Sequence, residues 1–186
     1  CPSIDIIKKV NFRKNINLQK YKYGIGHSVD LKKDYYVFLI HPVTTHYGEN
    51  DLLVKELLKS AKILNEQIIW LWPNNDAGSN LISKKIRSFR EKHNLKINFY
   101  TNFETEDYLR LIKNSKCLIG NSSSGIRESS FLKIPAVNIG DRQKNRERGD
   151  NVIDCTVDSS SIVEAIKRII NTKKFKQNNI YGVGNS

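Results

Sequence analysis

From residue 35 onward, apolar runs of strand length alternate with helix-length amphipathic segments. Tyr35 to His41 (YYVFLIH) predicts the first strong strand, Gln67 to Trp72 (QIIWLW) the second and Leu95 to Tyr100 the third. Lys116 to Gly120, Ala136 to Ile139 and Asn151 to Cys155 predict three more. Between them, Leu52, Leu53, Leu57, Leu58, Ala61 and Leu64 fall on one face of a helix. Leu81, Ile82, Ile86 and Phe89 mark another. Thr105-Glu106-Asp107 opens a third through Tyr108, Leu109, Leu111 and Ile112, with acids in the first turn, where the helix dipole favours them. A short helix is predicted from Gly125 to Phe131 and a final amphipathic one from Ser160 to Ile170.

Strands that are apolar throughout, separated by helices, imply a parallel sheet covered on both faces. The predicted fold class is α/β, a Rossmann-like, doubly wound, six-stranded parallel sheet. Residues 1–30 read as short helices and a Gly-containing loop, a joint to another domain. Residues 31–172 form the Rossmann-like domain and residues 173–186 a truncated, solvated tail. The chain opens on Cys1 rather than Met and ends on a loop-like tail, so it reads as a piece of a longer protein. A cysteine at position 1 would also suit a lipoprotein anchor.

With 186 residues, the chain is long enough for one such domain with a sizeable core. No apolar run approaches the roughly 18 residues of a membrane span, and no secretion signal opens the chain. A cytoplasmic protein without membrane contact is expected. The net charge of +12 admits nucleic acid, an anionic surface or a phosphorylated ligand. Its lysines are scattered, with no basic stripe interleaved with aromatics, so no nucleic-acid partner is expected. Cys1, Cys117 and Cys155 match no metal or disulfide spacing, and buried free thiols are expected.

In a doubly wound sheet, ligands bind beyond the carboxyl ends of the strands, and polar clusters follow four of these strands. Gly120-Asn121-Ser122-Ser123-Ser124-Gly125-Ile126-Arg127-Glu128 combines small residues, hydroxyls and a helix start, which suits a diphosphate. A Ser-capped helix after a Gly turn is the plain alternative. Glu128 is placed to accept ribose hydroxyls or simply to face solvent in the first helical turn. His41 closes its strand, where it would bond a phosphate oxygen and assist a leaving group, or merely pack. His41 and His46 lack a third ligand, so no metal site is expected. Trp72-Pro73-Asn74-Asn75-Asp76-Ala77-Gly78-Ser79 is both turn chemistry and a donor-rich edge. Gly140 to Arg148 carries three arginines and a lysine, for anion contact or for solvent.

Taken together, HPVTT (His41 to Thr45), PNNDAGS (Pro73 to Ser79), GNSSSGIRE (Gly120 to Glu128) and PAVNIGDRQ with a following Arg (Pro135 to Arg146) resemble the UDP-N-acetylglucosamine 2-epimerases. The resemblance is strongest to the hydrolysing branch used in making sialic and legionaminic acids. It implies the C-terminal domain of a two-domain, glycosyltransferase-B-like fold with UDP in the cleft between the halves. By that resemblance Ser122 and Ser123 bind the diphosphate and Glu128 the ribose. His41 sits at the phosphate and assists departure of UDP, Asn74 and Asp76 line the nucleotide pocket, and Arg142 lines the cleft. The uracil would lie near the passage from Tyr100 to Phe103.

The implied partners are a UDP-N-acetylhexosamine and the N-terminal domain of the same enzyme, with homo-oligomers open. No metal or redox cofactor is implied. The proton-transfer carboxylates would belong to the missing half, so this piece alone is expected to bind weakly and turn over nothing. Two positions depart from the family pattern: His46 stands where an acid is frequent, and Asn145 where glycine is usual. A glycosyltransferase of the same fold and a non-catalytic nucleotide- or nucleic-acid-binding module are the competing classes.

Overall fold

The computed structural model describes residues 2–21, 25–43, 49–73, 79–92, 95–172, 175–176 and 179–183. Among them seven strands form one sheet: β1 (Ile25–Gly26), β2 (Tyr35–Leu39), β3 (Gln67–Leu71), β4 (Ile97–Tyr100), β5 (Cys117–Gly120), β6 (Ala136–Ile139) and β7 (Val152–Cys155). Their order across the sheet is β1-β4-β3-β2-β5-β6-β7. From β2 to β7 every pairing is parallel, as the apolar runs predicted. The expected count of six is corrected to seven by β1, which pairs antiparallel with β4 at the edge. It is two residues long and exposed on both, so no run of apolar side chains marks it in the sequence.

Among the described residues six α-helices cover the sheet: α1 (Pro2–Lys9), α2 (Glu49–Leu64), α3 (Ser79–Lys92), α4 (Thr105–Lys113), α5 (Glu128–Leu132) and α6 (Ser159–Ile170). Side chains alternate across a strand, and β2 divides accordingly. Tyr36, Phe38 and Ile40 enter a core with Leu53, Val54 and Leu57 of α2, Ile86 of α3 and Ile162 and Ile166 of α6. Tyr35, Val37 and Leu39 enter the opposite core with Ile4 and Ile7 of α1, Leu111 and Ile112 of α4 and Leu132 of α5. Helices thus lie on both faces, with Trp70 of β3 fully enclosed between Phe38 and Phe99.

The segment before residue 31 is bound to the sheet domain by more than α1. Tyr21 Oη donates to Asp107 at 2.7 Å, and Arg110 Nε donates to the Asn11 carbonyl at 2.8 Å. Arg110 also donates to Asp107 and to Glu106, each at 2.6 Å. Burial would raise the Asp107 carboxyl, but the bonds from Tyr21 and Arg110 outweigh it and hold its pKa below the usual carboxylate value. Burial, then the bond to Asp107, pushes the Tyr21 phenol up to about 12, so it stays a donor at neutral pH.

α6 starts on Asp158, which accepts from the N–H groups of Ser160 and Ser161, both at 3.0 Å. Glu56 of α2 accepts from the Ser159 N–H at 3.1 Å, tying two helices on the same face. Among the described residues no helix is long and apolar enough to cross a membrane.

Candidate functional site

Chain order β2-β3-β4 runs outward from β2 on one side, and β5-β6-β7 runs outward on the other. The direction of winding therefore reverses between β2 and β5. In open α/β sheets the crevice at such a reversal is where ligands bind. His41 follows β2 there, and Gly120-Asn121-Ser122 leaves β5 beside it.

The β2–β5 ladder ends at the pair Leu39 and Gly120. Gly120 takes φ +147°, and a Cβ on it would stand 1.9 Å from the Leu39 carbonyl oxygen. Its small size serves the approach of two strands, a different reason from the ligand approach that its loop suggested. Beyond it the backbones separate, and the Asn121 side chain spans the gap. Asn121 Oδ1 accepts from the His41 N–H at 2.7 Å, and Nδ2 donates to the His41 carbonyl at 2.9 Å.

The loop after β6 closes on the same residue. Gln143 Nε2 donates to the Asn121 carbonyl at 2.8 Å, and Arg142 Nη1 at 3.2 Å. Three segments that the sequence presents as separate motifs are thus joined at one enclosed asparagine, which is 0% exposed.

Ser122 caps a single 3-10 turn, Ser123–Gly125, accepting from the Ser124 N–H at 3.3 Å. The predicted continuous helix from Gly125 to Phe131 is instead this turn followed by the five-residue α5. So short a helix adds little dipole, and the turn presents hydroxyls with the Arg127 and Arg142 guanidinium groups nearby. Arg127 Nη2 donates to Ser123 Oγ at 3.2 Å and lies 3.7 Å from Glu128 Oε1.

Glu128 is buried, and its Oε2 has no hydrogen-bond partner. Tyr108 of α4 lies within electrostatic reach of that carboxylate, and burial raises its phenol pKa. The Ser124 hydroxyl is near enough to offset part of that rise, yet the pair falls outside hydrogen-bonding geometry, and Tyr108 Oη is an enclosed, unpaired group like Glu128 Oε2. An enclosed polar atom left unpaired costs about 1–3 kcal/mol. Two such atoms at the exit edge are hydrogen-bonding capacity that a polar ligand would use.

The structure therefore brings His41, Ser122, Ser123, Glu128 and Arg142 to one edge of the sheet. Asn74 and Asp76 lie outside the described residues, as do Thr44, Thr45 and His46. The arginine-rich loop is not a uniform anion clamp. Arg148 is engaged by Asp154 at 2.6 Å and by the Gln143 carbonyl at 3.0 Å, while exposed Arg142 faces the Asn121 turn. Asn145 has φ +65°, a left-handed conformation that glycine and asparagine adopt most readily. That accounts for asparagine standing where the family pattern has glycine.

The passage from Tyr100 to Phe103 leaves β4 at the same edge, with the Phe103 ring buried between Tyr21 and Tyr100 at centroid distances of 4.4 and 5.0 Å. A cavity of about 540 Å³ lined by Phe12, Ile16, Leu18, Val29 and Tyr35 lies by the amino end of β2 and contains none of these residues. Among the described residues no group of three or more His, Cys, Asp or Glu side chains is arranged to hold a metal.

Sequence reasoning did not find the parts played by Asn121, Arg127, Tyr108 and Gln143. Asn121 lies inside a motif that was singled out, but its partner is 80 positions away. No local pattern carries that pairing. A tyrosine at a core-facing helix position likewise looks like packing until its hydroxyl is located.

The sequence model of the family described as UDP-N-acetylglucosamine 2-epimerase matches residues 2–186. The chain is 36% identical over 174 residues to the GDP/UDP-N,N'-diacetylbacillosamine 2-epimerase (hydrolyzing) of Campylobacter jejuni, covering 93% of this chain and 43% of that protein. It is 33% identical over 155 residues to the UDP-N,N'-diacetylbacillosamine 2-epimerase (hydrolyzing) of Legionella pneumophila, covering 83% and 41%. It thus spans under half the length of these relatives. Among solved structures, the Methanocaldococcus jannaschii UDP-GlcNAc 2-epimerase in complex with UDP-GlcNAc and UDP superposes with TM-score 0.72 and 18% identity. That match covers 98% of this chain and 50% of the other, and at such identity it concerns the fold.

Proposed function

From the premise that this chain belongs to the UDP-N-acetylglucosamine 2-epimerase family, we propose that it is the UDP-binding, C-terminal half of a hydrolysing 2-epimerase. Residues 1–30 join it to the other half, residues 31–172 hold the nucleotide, and residues 173–186 are a tail. The substrate is UDP-N-acetylglucosamine or a related UDP-N-acetylhexosamine, UDP-N,N'-diacetylbacillosamine included. The hydrolysing branch is favoured because the relatives at 36% and 33% identity both carry that activity in their names.

One observation carries the reading: His41 and the Ser122 turn meet at the winding reversal between β2 and β5, tied through Asn121. A diphosphate seated there meets the Ser122 and Ser123 hydroxyls, with Arg142 on the far side. The ribose lies toward Glu128, whose unpaired Oε2 accepts its hydroxyls, and Arg127 sits between the two regions. The uracil lies toward residues 100–103.

Chemistry follows from that placement. The bond from C1 of the sugar to the β-phosphate oxygen breaks, and the C2 proton leaves to a base of the other half. A C1–C2 alkene and UDP result. His41 hydrogen-bonds the departing phosphate and stabilises its growing charge. Water then adds across the alkene, hydroxyl at C1 and hydrogen at C2 on the opposite face, giving free sugar of the manno configuration.

Incubating the full-length protein with each UDP-sugar tests the proposal. UDP and free N-acetylmannosamine-type sugar in equal amounts support it. A UDP-linked epimer without UDP release assigns the non-hydrolysing branch, and sugar transfer to an acceptor assigns a glycosyltransferase. Absence of UDP binding refutes the nucleotide site itself.

A further inference from the structure

We propose that Asn121 is the positioning residue of this site: its side-chain amide sets His41 against the diphosphate-binding turn. The inference rests on the proposed role of His41 and goes beyond it. A parallel ladder normally continues through backbone groups, but here it stops at Leu39 and Gly120. The next link is the Asn121 amide, which accepts at 2.7 Å and donates at 2.9 Å to the two backbone groups of His41. The partners settle the amide orientation, since only Oδ1 can accept and only Nδ2 can donate. A side chain used as a ladder rung holds the two backbones farther apart than a direct rung would. The crevice at the winding reversal is held open by that added length.

Asparagine alone among small side chains offers one acceptor and one donor at this reach. Aspartate keeps the bond from the His41 N–H but sets an anionic oxygen against the His41 carbonyl. Alanine removes both bonds. Neither change touches the Asn121 carbonyl, which still accepts from Gln143 and Arg142. The turn carrying Ser122 and Ser123 therefore stays anchored while His41 loses both of its bonds to the Asn121 amide. Both bonds of the Asn121 amide go to His41, so its action is read through that residue.

That separation defines the test. In the full-length protein, Asn121→Ala is expected to lower kcat by about 100-fold, the scale of a 1 Å misplacement. KM and the calorimetric UDP affinity stay within about threefold, because the diphosphate turn is retained. His41→Ala and the double variant Asn121→Ala/His41→Ala are expected to be equally slow, since the amide acts through a residue already removed. A merely structural asparagine gives losses that multiply in the double variant, or a KM that rises and a UDP affinity that falls as kcat drops; either result overturns the inference. If Asn121→Ala does not fold, Asn121→Asp is read in its place, with the same kcat-selective loss expected and the same results overturning it. If His41→Ala turns over at the wild-type rate, the role given to His41 fails, and the positioning of it with that role. If UDP binds neither wild type nor variant, the nucleotide site fails first.

Discussion

Gly120 and Gly125 stand five residues apart in one motif, and the structure assigns them opposite tolerances. Gly120 has φ +147°, and its Cβ would lie 1.9 Å from the Leu39 oxygen and 2.7 Å from the Leu39 carbonyl carbon. That is about 1.4 Å short of an ordinary C···O approach near 3.3 Å. The obstacle is backbone in the central strand, so no side chain can turn aside. Holding alanine in that conformation costs about 1–3 kcal/mol, and forcing the two strands apart adds about 1–3 kcal/mol more. Gly120→Ala is therefore expected to destabilise by about 2–6 kcal/mol, with a Tm lowered by roughly 4–24 °C for a chain of this size. Gly125 is the internal control: a Cβ there meets only Ala136 Cβ, at 4.0 Å. Gly125→Ala should leave the unfolding free energy within about 0.5 kcal/mol of wild type, the range of an uncrowded site. Any loss of UDP affinity in that variant then reports crowding of the ligand and not of the fold. Urea denaturation followed by tryptophan fluorescence reads both variants, because Trp70 lies in the adjacent core. If Gly120→Ala is as stable as Gly125→Ala, the claim that the strand exit sets the glycine is wrong.

Further expectations concern other parts of the molecule. Glu128→Ala removes an enclosed acceptor and should weaken UDP binding by about 1–3 kcal/mol in calorimetry; an unchanged affinity removes Glu128 from the site. Asp107 has a depressed folded pKa, so its stabilising contribution is present above its unfolded value near 4 and is lost as pH falls through the folded value. Asp107→Asn should accordingly lower the urea midpoint at pH 7, with the difference from wild type shrinking once the pH drops below about 4; a difference that is constant with pH denies the ionised pair. Burial raises the Cys117 thiol pKa well above its ordinary value, and burial pushes Cys155 up to about 12. Both thiols should stay unmodified by a thiol reagent at pH 8 until the chain is denatured, as mass spectrometry of digests would show; labelling of Cys117 in the folded chain would contradict its enclosure.

What was legible from the chain alone was whatever depends on neighbours in sequence. The central parallel strands announce themselves because a strand buried on both faces is apolar at every position, as Tyr35 to Leu39 and Ile68 to Leu71 are, while β7 at the edge is only partly buried and carries Asp154. The helices follow from their apolar spacing, and the polar clusters after successive strands mark one edge of the sheet. Edge strand β1 was not legible, since two exposed residues bury nothing and leave no pattern. Nor was the packing of the first 30 residues, whose anchors are Ile4 and Ile7 in a core shared with α4 and Tyr21 on Asp107. The break between the 3-10 turn and α5 also escaped the periodicity, because Ser and Gly suit either form. Most of all, tertiary structure alone decided that Asn121 bonds His41, that Gly120 is constrained by Leu39, and that Glu128 and Tyr108 are enclosed with unpaired oxygens. Periodicity records which face of an element is buried, but hydrogen bonds between residues 80 apart exist only once the sheet order has placed two strands side by side.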